Sequence, residues 1–193
     1  MTEAGCQWGN SWDLEVPLYF ASKDFQENPS LKRSNAFPIV GDECNAVRTG
    51  VGLLDITGFS RFEVSGPNAQ AWLDNIMASK LPKPGRAGLA PMLSEEGKLK
   101  GDLTVFNWGD GTWWIMGSYY LRAWHMRWFN DHLSDGVSIK DLGEDWAGFS
   151  LSGPNSKDVI SKLTDSSIND LKFMGCADTV SYTHLRAHET ILD

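Results

Sequence analysis

Arg61-Phe62-Glu63-Val64-Ser65-Gly66-Pro67-Asn68-Ala69-Gln70-Ala71-Trp72-Leu73-Asp74-Asn75-Ile76-Met77-Ala78 is the stretch that decides the fold. Phe62 and Val64 alternate with Arg61 and Glu63, the period of a strand with one buried face. Ser65-Gly66-Pro67-Asn68 then turns the chain, with a proline placed to open a helix. From Asn68 onward Ala69, Trp72, Leu73, Ile76 and Met77 fall at helical spacing on one stripe. A strand feeding directly into an amphipathic helix is half of a split βαβ unit.

The complementary half follows. Pro82, Pro84 and Gly85 make a connector, and Gly88 to Leu93 reads as an added strand. Leu93-Ser94-Glu95-Glu96-Gly97-Lys98 is a polar turn leading into a strand that ends near Asn107. Gly109-Asp110-Gly111 is a tight hairpin turn, and Thr112 to Gly117 is its return strand. A second helix over 119–133 gathers Leu121, Trp124, His125, Trp128, Phe129 and His132 on one stripe, more often a core face than a cofactor site. Val137 and Ile139 begin a further strand, and Ala147, Phe149 and Leu151 alternate in another. The order over 59–151 predicts an antiparallel sheet with both helices on one face, a ferredoxin-like βαββαβ unit in an α+β chain.

In the strand after the polar turn, Leu103 and Val105 face one way, while Asp102, Thr104 and Phe106 face the other. That second face carries a carboxylate, a hydroxyl and a ring at period two, a set able to hold a flat, polar, nitrogen-bearing ligand. A lone aspartate opening a strand is more often a solvated entry residue, and pattern alone leaves both readings open.

Upstream, residues 1–20 have no clear period. Pro17 argues against helix, so the reading is an ordered loop with a short extended piece. Pro38 to about Arg48 reads as a helix closed by Gly50 and Gly52. Val51 to Ile56 reads as a short strand of buried type. Ser152-Gly153-Pro154-Asn155 restates Ser65-Gly66-Pro67-Asn68, two equivalent strand-to-helix junctions whose glycines are a weak phosphate signal.

Composition excludes several classes of function. The 193 residues carry a net charge of −8, which opposes nucleic-acid and anionic-membrane partners. No apolar run reaches the roughly 20 residues of a membrane span, and the N-terminus has no signal-peptide pattern. Three well-separated cysteines form neither a disulfide framework nor a zinc site. A reducing compartment is expected, the cytoplasm or, in a eukaryote, the mitochondrial matrix. Nine tryptophans supply core and potential contact surface. His184 and His188 stand at i and i+4 but no third metal ligand accompanies them. Residues 181–193 resemble a translated sequencing-adapter segment and are expected not to be native.

Several motifs, in this order, resemble the folate-binding aminomethyltransferase family, and more closely the C-terminal folate domain of dimethylglycine and sarcosine dehydrogenases. They are Trp12 with Glu15-Val16-Pro17-Leu18-Tyr19-Phe20, Ala46-Val47-Arg48 with Val51-Gly52-Leu53-Leu54-Asp55, Phe62-Glu63-Val64-Ser65-Gly66-Pro67, and Gly101-Asp102-Leu103-Thr104-Val105. The resemblance covers about 9–180. It implies a cloverleaf around a folate channel: 1–58 as the start of a first folate-binding subdomain, 59–152 as the ferredoxin-like subdomain and 153–180 as a truncated return into the first.

The resemblance further implies tetrahydrofolate as the one-carbon acceptor, a small N-methyl amine such as dimethylglycine or sarcosine as donor, and Asp102 as the catalytic carboxylate. Leu89, Thr104, Phe106, Ser118 and Phe173 would line the folate. Ser118 stands where the cleavage-system enzymes carry Asn, and Gly101 replaces an acidic residue common in them. Family domains run on for about as many residues again, including Glu, Arg and Tyr residues that grip the pterin. FAD would belong only to an upstream flavin domain or a separate flavin subunit, since no Gly-x-Gly-x-x-Gly occurs here. The chain is thus expected to be a fragment that is poorly soluble and inactive in isolation. The competing expectations are a non-catalytic folate-binding regulatory module and a structural or assembly domain.

Overall fold

The computed structural model describes residues 1–11, 14–143, 145–164, 168 and 170–178. The segment 181–193, with His184 and His188, lies outside the described residues. The chain divides into two compact units, Met1–Leu53 with Leu151–Ser156, and Leu54–Ser150 with the segment from Lys157 onward.

In the first unit, β1 (Cys6–Ser11) and β2 (Leu14–Phe20) pair antiparallel. This hairpin replaces the loop expected for residues 1–20. Pro17 is tolerated because a two-stranded ribbon is all edge, and the register shifts between Gln7 and Trp8, next to the Trp8–Pro17 pair. Helix α1 (Phe37–Thr49) starts with Pro38 in its first turn, and its Glu43 accepts a hydrogen bond from the Phe20 main chain at 2.7 Å. Strand β3 (Gly52–Asp55) follows. Its expected burial is overturned: Leu53 and Leu54 are 66% and 60% exposed.

The second unit contains β4 (Ser60–Ser65), α2 (Ala69–Ile76), β5 (Arg86–Leu93), β6 (Leu99–Asn107), β7 (Trp113–Gly117), α3 (Arg122–Asp131) and β8 (Ser138–Asp141). Strand β9 (Phe149–Ser152) pairs with β3, and α4 (Ser156–Ile160) follows. The sheet order is β5-β6-β7-β4-β8, with the paired strands antiparallel. That is the split βαβ order with one strand added at the β6 edge. Phe62, Val64, Ala90, Met92, Leu103, Val105 and Ile115 line the inner sheet face and pack against Trp72, Leu73 and Ile76 of α2 and Phe129 of α3. Phe129 meets Phe62 and Trp72 edge-on, with ring centroids 5.2 and 5.9 Å apart.

The two Ser-Gly-Pro-Asn turns do one structural job twice. Gly66 and Gly153 hold φ of 110° and 114°, a region costly for residues with a side chain. Asn68 N–H donates to the Gly136 carbonyl, and Asn155 N–H donates to the Gly50 carbonyl. Each turn ties a strand-to-helix junction to a neighbouring loop within its own unit.

Trp72 fastens α2 to the end of α3. Its indole Nε1–H donates to the His132 carbonyl at 2.6 Å inside the core. Trp72→Phe keeps most of the apolar contact but removes the donor, and is expected to cost about 1–2 kcal/mol, read from urea unfolding midpoints at constant slope.

Candidate functional site

The helices cover one side of the five-stranded sheet, so chemistry must lie on the other. Register puts Leu89 opposite Thr104, Pro91 opposite Asp102, Thr104 opposite Met116 and Phe106 opposite Trp114. Leu89, Asp102, Thr104 and Phe106 therefore share the outer face. Leu89 is 70% exposed and Asp102 is exposed, whereas Thr104 and Phe106 are half-buried. Ser118 directly follows β7, and the Thr104–Met116 register, continued by two residues, sets it across from Asp102. Its carbonyl accepts from the Ser60 hydroxyl at 3.3 Å. Phe173 stands apart from this group. It is 86% exposed beside the β5 edge, where Ala87 N–H donates to the Met174 carbonyl at 2.8 Å. The Asp102 carboxylate makes no hydrogen bond or ion pair among the described residues.

Beyond Phe106 the outer face continues as a row of rings. Phe106 stacks on Trp108 at 6.2 Å, Trp108 meets Trp114 edge-on at 5.3 Å, and Trp114 meets Trp146 edge-on at 4.9 Å. The Trp114 Nε1–H reaches the Glu63 carboxylate on β4 at 3.4 Å. The pattern of alternation predicts Glu63 and Trp114 on this face. Trp146 joins them from a loop, and no sequence signal marks it.

Arg61 is the structural centre of this side. It is 5% exposed and donates to the carbonyls of Ile56, Thr57 and Phe59 at 3.0–3.1 Å. Any side chain at Gly148 would run into its guanidinium. Gly148 in turn closes the loop: its carbonyl accepts from Ile56 N–H at 2.8 Å, and its N–H donates to the Thr57 hydroxyl at 3.1 Å. Burial lowers the Arg61 pKa, which the Asp55 charge partly restores. The Asp55 carboxyl is held below its ordinary value, mainly by the Thr57 side chain and main chain. This knot shapes a cavity of about 430 Å³ whose wall includes Phe59, Tyr119, Arg122, Gly143 and Trp146. Phe59 precedes Ser60 and Tyr119 follows Ser118, so the cavity opens at the Asp102–Ser118 end of the face.

A second hollow of about 620 Å³ lies toward α2 and α3, bordered by Ala78, Glu95, Lys100, Trp128 and His132. Lys100 sits over the Trp124 and Trp128 rings, 5.8 and 5.2 Å from their centroids. Among the described residues no group of His, Cys, Asp and Glu could hold a metal ion, and no helix is long and apolar enough to cross a membrane.

A ferredoxin-like sheet that buries one face under two helices and shows a carboxylate and aromatic rings on the other defines an α+β domain with one open sheet face. The chain belongs to the GCVT N-terminal domain family, whose model matches residues 1–190. It is 28% identical over 173 residues to human mitochondrial dimethylglycine dehydrogenase, covering 87% of this chain and 20% of that one. It is 30% identical over 146 residues to the aminomethyltransferase of Anoxybacillus flavithermus, covering 75% and 40%. The chain thus spans between a fifth and two fifths of these relatives. Its fold is that of the glycine cleavage aminomethyltransferase T from Bartonella henselae, with TM-score 0.76, 18% identity and coverage of 93% and 45%. A heterotetrameric sarcosine oxidase from Corynebacterium superposes with TM-score 0.53 at 17% identity, covering 79% and 77%.

Proposed function

We propose that this chain supplies part of a folate site at which a one-carbon unit passes from an N-methyl amine, such as dimethylglycine or sarcosine, to tetrahydrofolate. The observation that carries this reading is Asp102: an exposed carboxylate without a partner among the described residues, beside Thr104 and Phe106 on the sheet face the helices leave open. Family membership and the names of the relatives supply the reaction class.

The donor set fits a reduced pterin. A carboxylate accepts from ring N–H groups, the Thr104 hydroxyl can donate or accept, and the Phe106 ring offers a flat apolar wall. When bound, the folate supplies the nucleophilic nitrogen that takes the one-carbon unit. Asp102 orients that nitrogen and stabilises positive charge as it develops, while the sheet holds donor and acceptor together. Leu89 and Ser118 border the same surface. Phe173, at the β5 edge, would meet only the far part of such a ligand. A flavin domain or subunit would supply the oxidised amine, and the compartment would be the cytoplasm or the mitochondrial matrix.

The test is calorimetric titration of the 193-residue chain with 5-formyltetrahydrofolate. Asp102→Asn is expected to weaken binding by about 10- to 100-fold, the worth of hydrogen bonds to a charged group. Equal affinity for wild type and Asp102→Asn would remove the residue from the site.

A further inference from the structure

Met92 stands opposite Gly101 and Leu93 opposite Leu99, so Lys100 is the extra residue of a β-bulge on β6. Counted back from Asp102 at period two, an unbulged strand would put the Lys100 side chain on the outer face, next to the carboxylate. The bulge sends it the other way. Its ammonium lies over the rings of Trp124 and Trp128 on α3, 5.8 and 5.2 Å from their centroids. Those two rings stack at 5.7 Å with 19° between their planes and so offer the cation one continuous face. No carboxylate pairs with Lys100 among the described residues, which makes the rings its anchor.

Gly101 also faces α3. A Cβ there would come within 3.0 Å of the His125 Nε2, so the main chain at 101 lies close against the buried imidazole. Trp124, His125 and Trp128 thus hold both residues that precede Asp102. The Asp102 carboxylate has no partner of its own among the described residues, so its backbone alone decides where it stands.

We propose that Lys100 is a positioning residue for Asp102: its seat on Trp124 and Trp128 keeps the bulge in place, which holds the ammonium away from the carboxylate and fixes the strand that carries it. The inference rests on the folate reading above and adds to it a residue on the opposite face of the sheet. A binding group works only where its supporting contacts hold it to about 0.5 Å. Released from the rings, the bulge would relax toward plain alternation. The ammonium would then reach the outer face and compete with the ligand for Asp102.

The experiment titrates the 193-residue chain with 5-formyltetrahydrofolate by calorimetry. Lys100→Ala and Trp128→Leu are each expected to weaken binding by about fivefold, the worth of the cation–ring contact. The double variant is expected to lose about fivefold as well, not about twenty-five-fold, because the two residues act as one unit. Lys100→Arg keeps a cation that stacks on indole and is expected to restore affinity to within about twofold of wild type. In the Asp102→Asn background Lys100→Ala is expected to cost nothing further. That dependence and the arginine rescue are not expected of a residue that only stabilises the fold. Should Trp128→Leu fail to fold by circular dichroism, the Lys100 variants decide. Unchanged affinity in Lys100→Ala, or the same fivefold loss in the Asp102→Asn background, overturns the inference. A loss for Asp102→Asn with none for Lys100→Ala removes this inference alone. No loss for Asp102→Asn removes the folate reading and this inference with it.

Discussion

Arg61→Met is expected to destabilise the second unit by about 2–4 kcal/mol, because three main-chain carbonyls lose a charged donor. The methionine matches the aliphatic stem but supplies none of the donors that now satisfy the Ile56, Thr57 and Phe59 carbonyls. Hydrogen bonds from a charged group contribute about 1.5–3 kcal/mol each, and exposing the freed carbonyls to water recovers part of that. The change also leaves a gap against Gly148, so the 56–59 turn and the 146–148 segment lose their common anchor. Chemical unfolding measures the loss. A loss under about 1 kcal/mol would mean that water replaces the guanidinium at little cost.

Arg61 also marks where sequence stops predicting structure. Alternation in Arg61–Val64 assigns Phe62 and Val64 inward and Arg61 outward, and that is where the sheet puts them. An outward arginine on a strand reads as solvated. What buries it is a loop more than eighty residues along the chain, and no local pattern carries that information. The same logic explains the first unit. Pro17 counts against regular structure in a sheet interior, yet β1 and β2 form a ribbon in which, among the described residues, a proline meets no third strand. Leu53 and Leu54 read as buried because they are apolar, although among the described residues β3 pairs with β9 alone and leaves them exposed.

Where residues interact through one sheet or one helix stripe, the reading is sounder. The period-two set Asp102, Thr104 and Phe106 needs only a strand to share a face, and register supplies it. The α3 stripe needs only a helix to make His125 and Phe129 core residues, and both are buried. The cavity walls needed tertiary folding. Phe59, Tyr119, Arg122 and Trp146 come from three connections and one helix start, with nothing in their spacing to join them.

Acidification below neutral pH is expected to weaken the fold through His125. The ring is 1% exposed, stacks on Phe129, and has no hydrogen-bond partner on either nitrogen among the described residues. It occupies a hollow left by two glycines: Nε2 would be 3.0 Å from a Cβ at Gly101 and Cε1 3.5 Å from one at Gly117. These glycines directly precede Asp102 and Ser118, so the ring supports the sheet from beneath the face that carries both. Burial pushes the imidazole pKa below its ordinary 6.5, and the nearby Lys100 main chain, outside hydrogen-bond geometry, offsets only part of this. With the folded value below the unfolded one, the neutral ring stabilises the fold fully above about pH 6.5. As pH falls past that point the unfolded chain takes up a proton that the folded chain resists. Stability then drops by up to about 1.4 kcal/mol per pH unit from this group, until the folded value is reached. The lowered carboxyls of Asp55, Glu27 and Glu96 act only nearer the acidic end, since their ordinary values are 3.8 and 4.5. Among the described groups with a resolved shift, His125 is therefore the one that acts between about pH 6.5 and 5. His125→Phe keeps a flat ring in the hollow and should flatten that part of the stability curve, measured by urea unfolding at half-unit pH steps. An unchanged slope in the variant would assign the acid sensitivity to another group. If the ring also sets the height of the strand under Asp102, Gly101→Ala should weaken 5-formyltetrahydrofolate binding. Combining Gly101→Ala with His125→Ala should restore part of it, because the new methyl then meets vacated space instead of the imidazole.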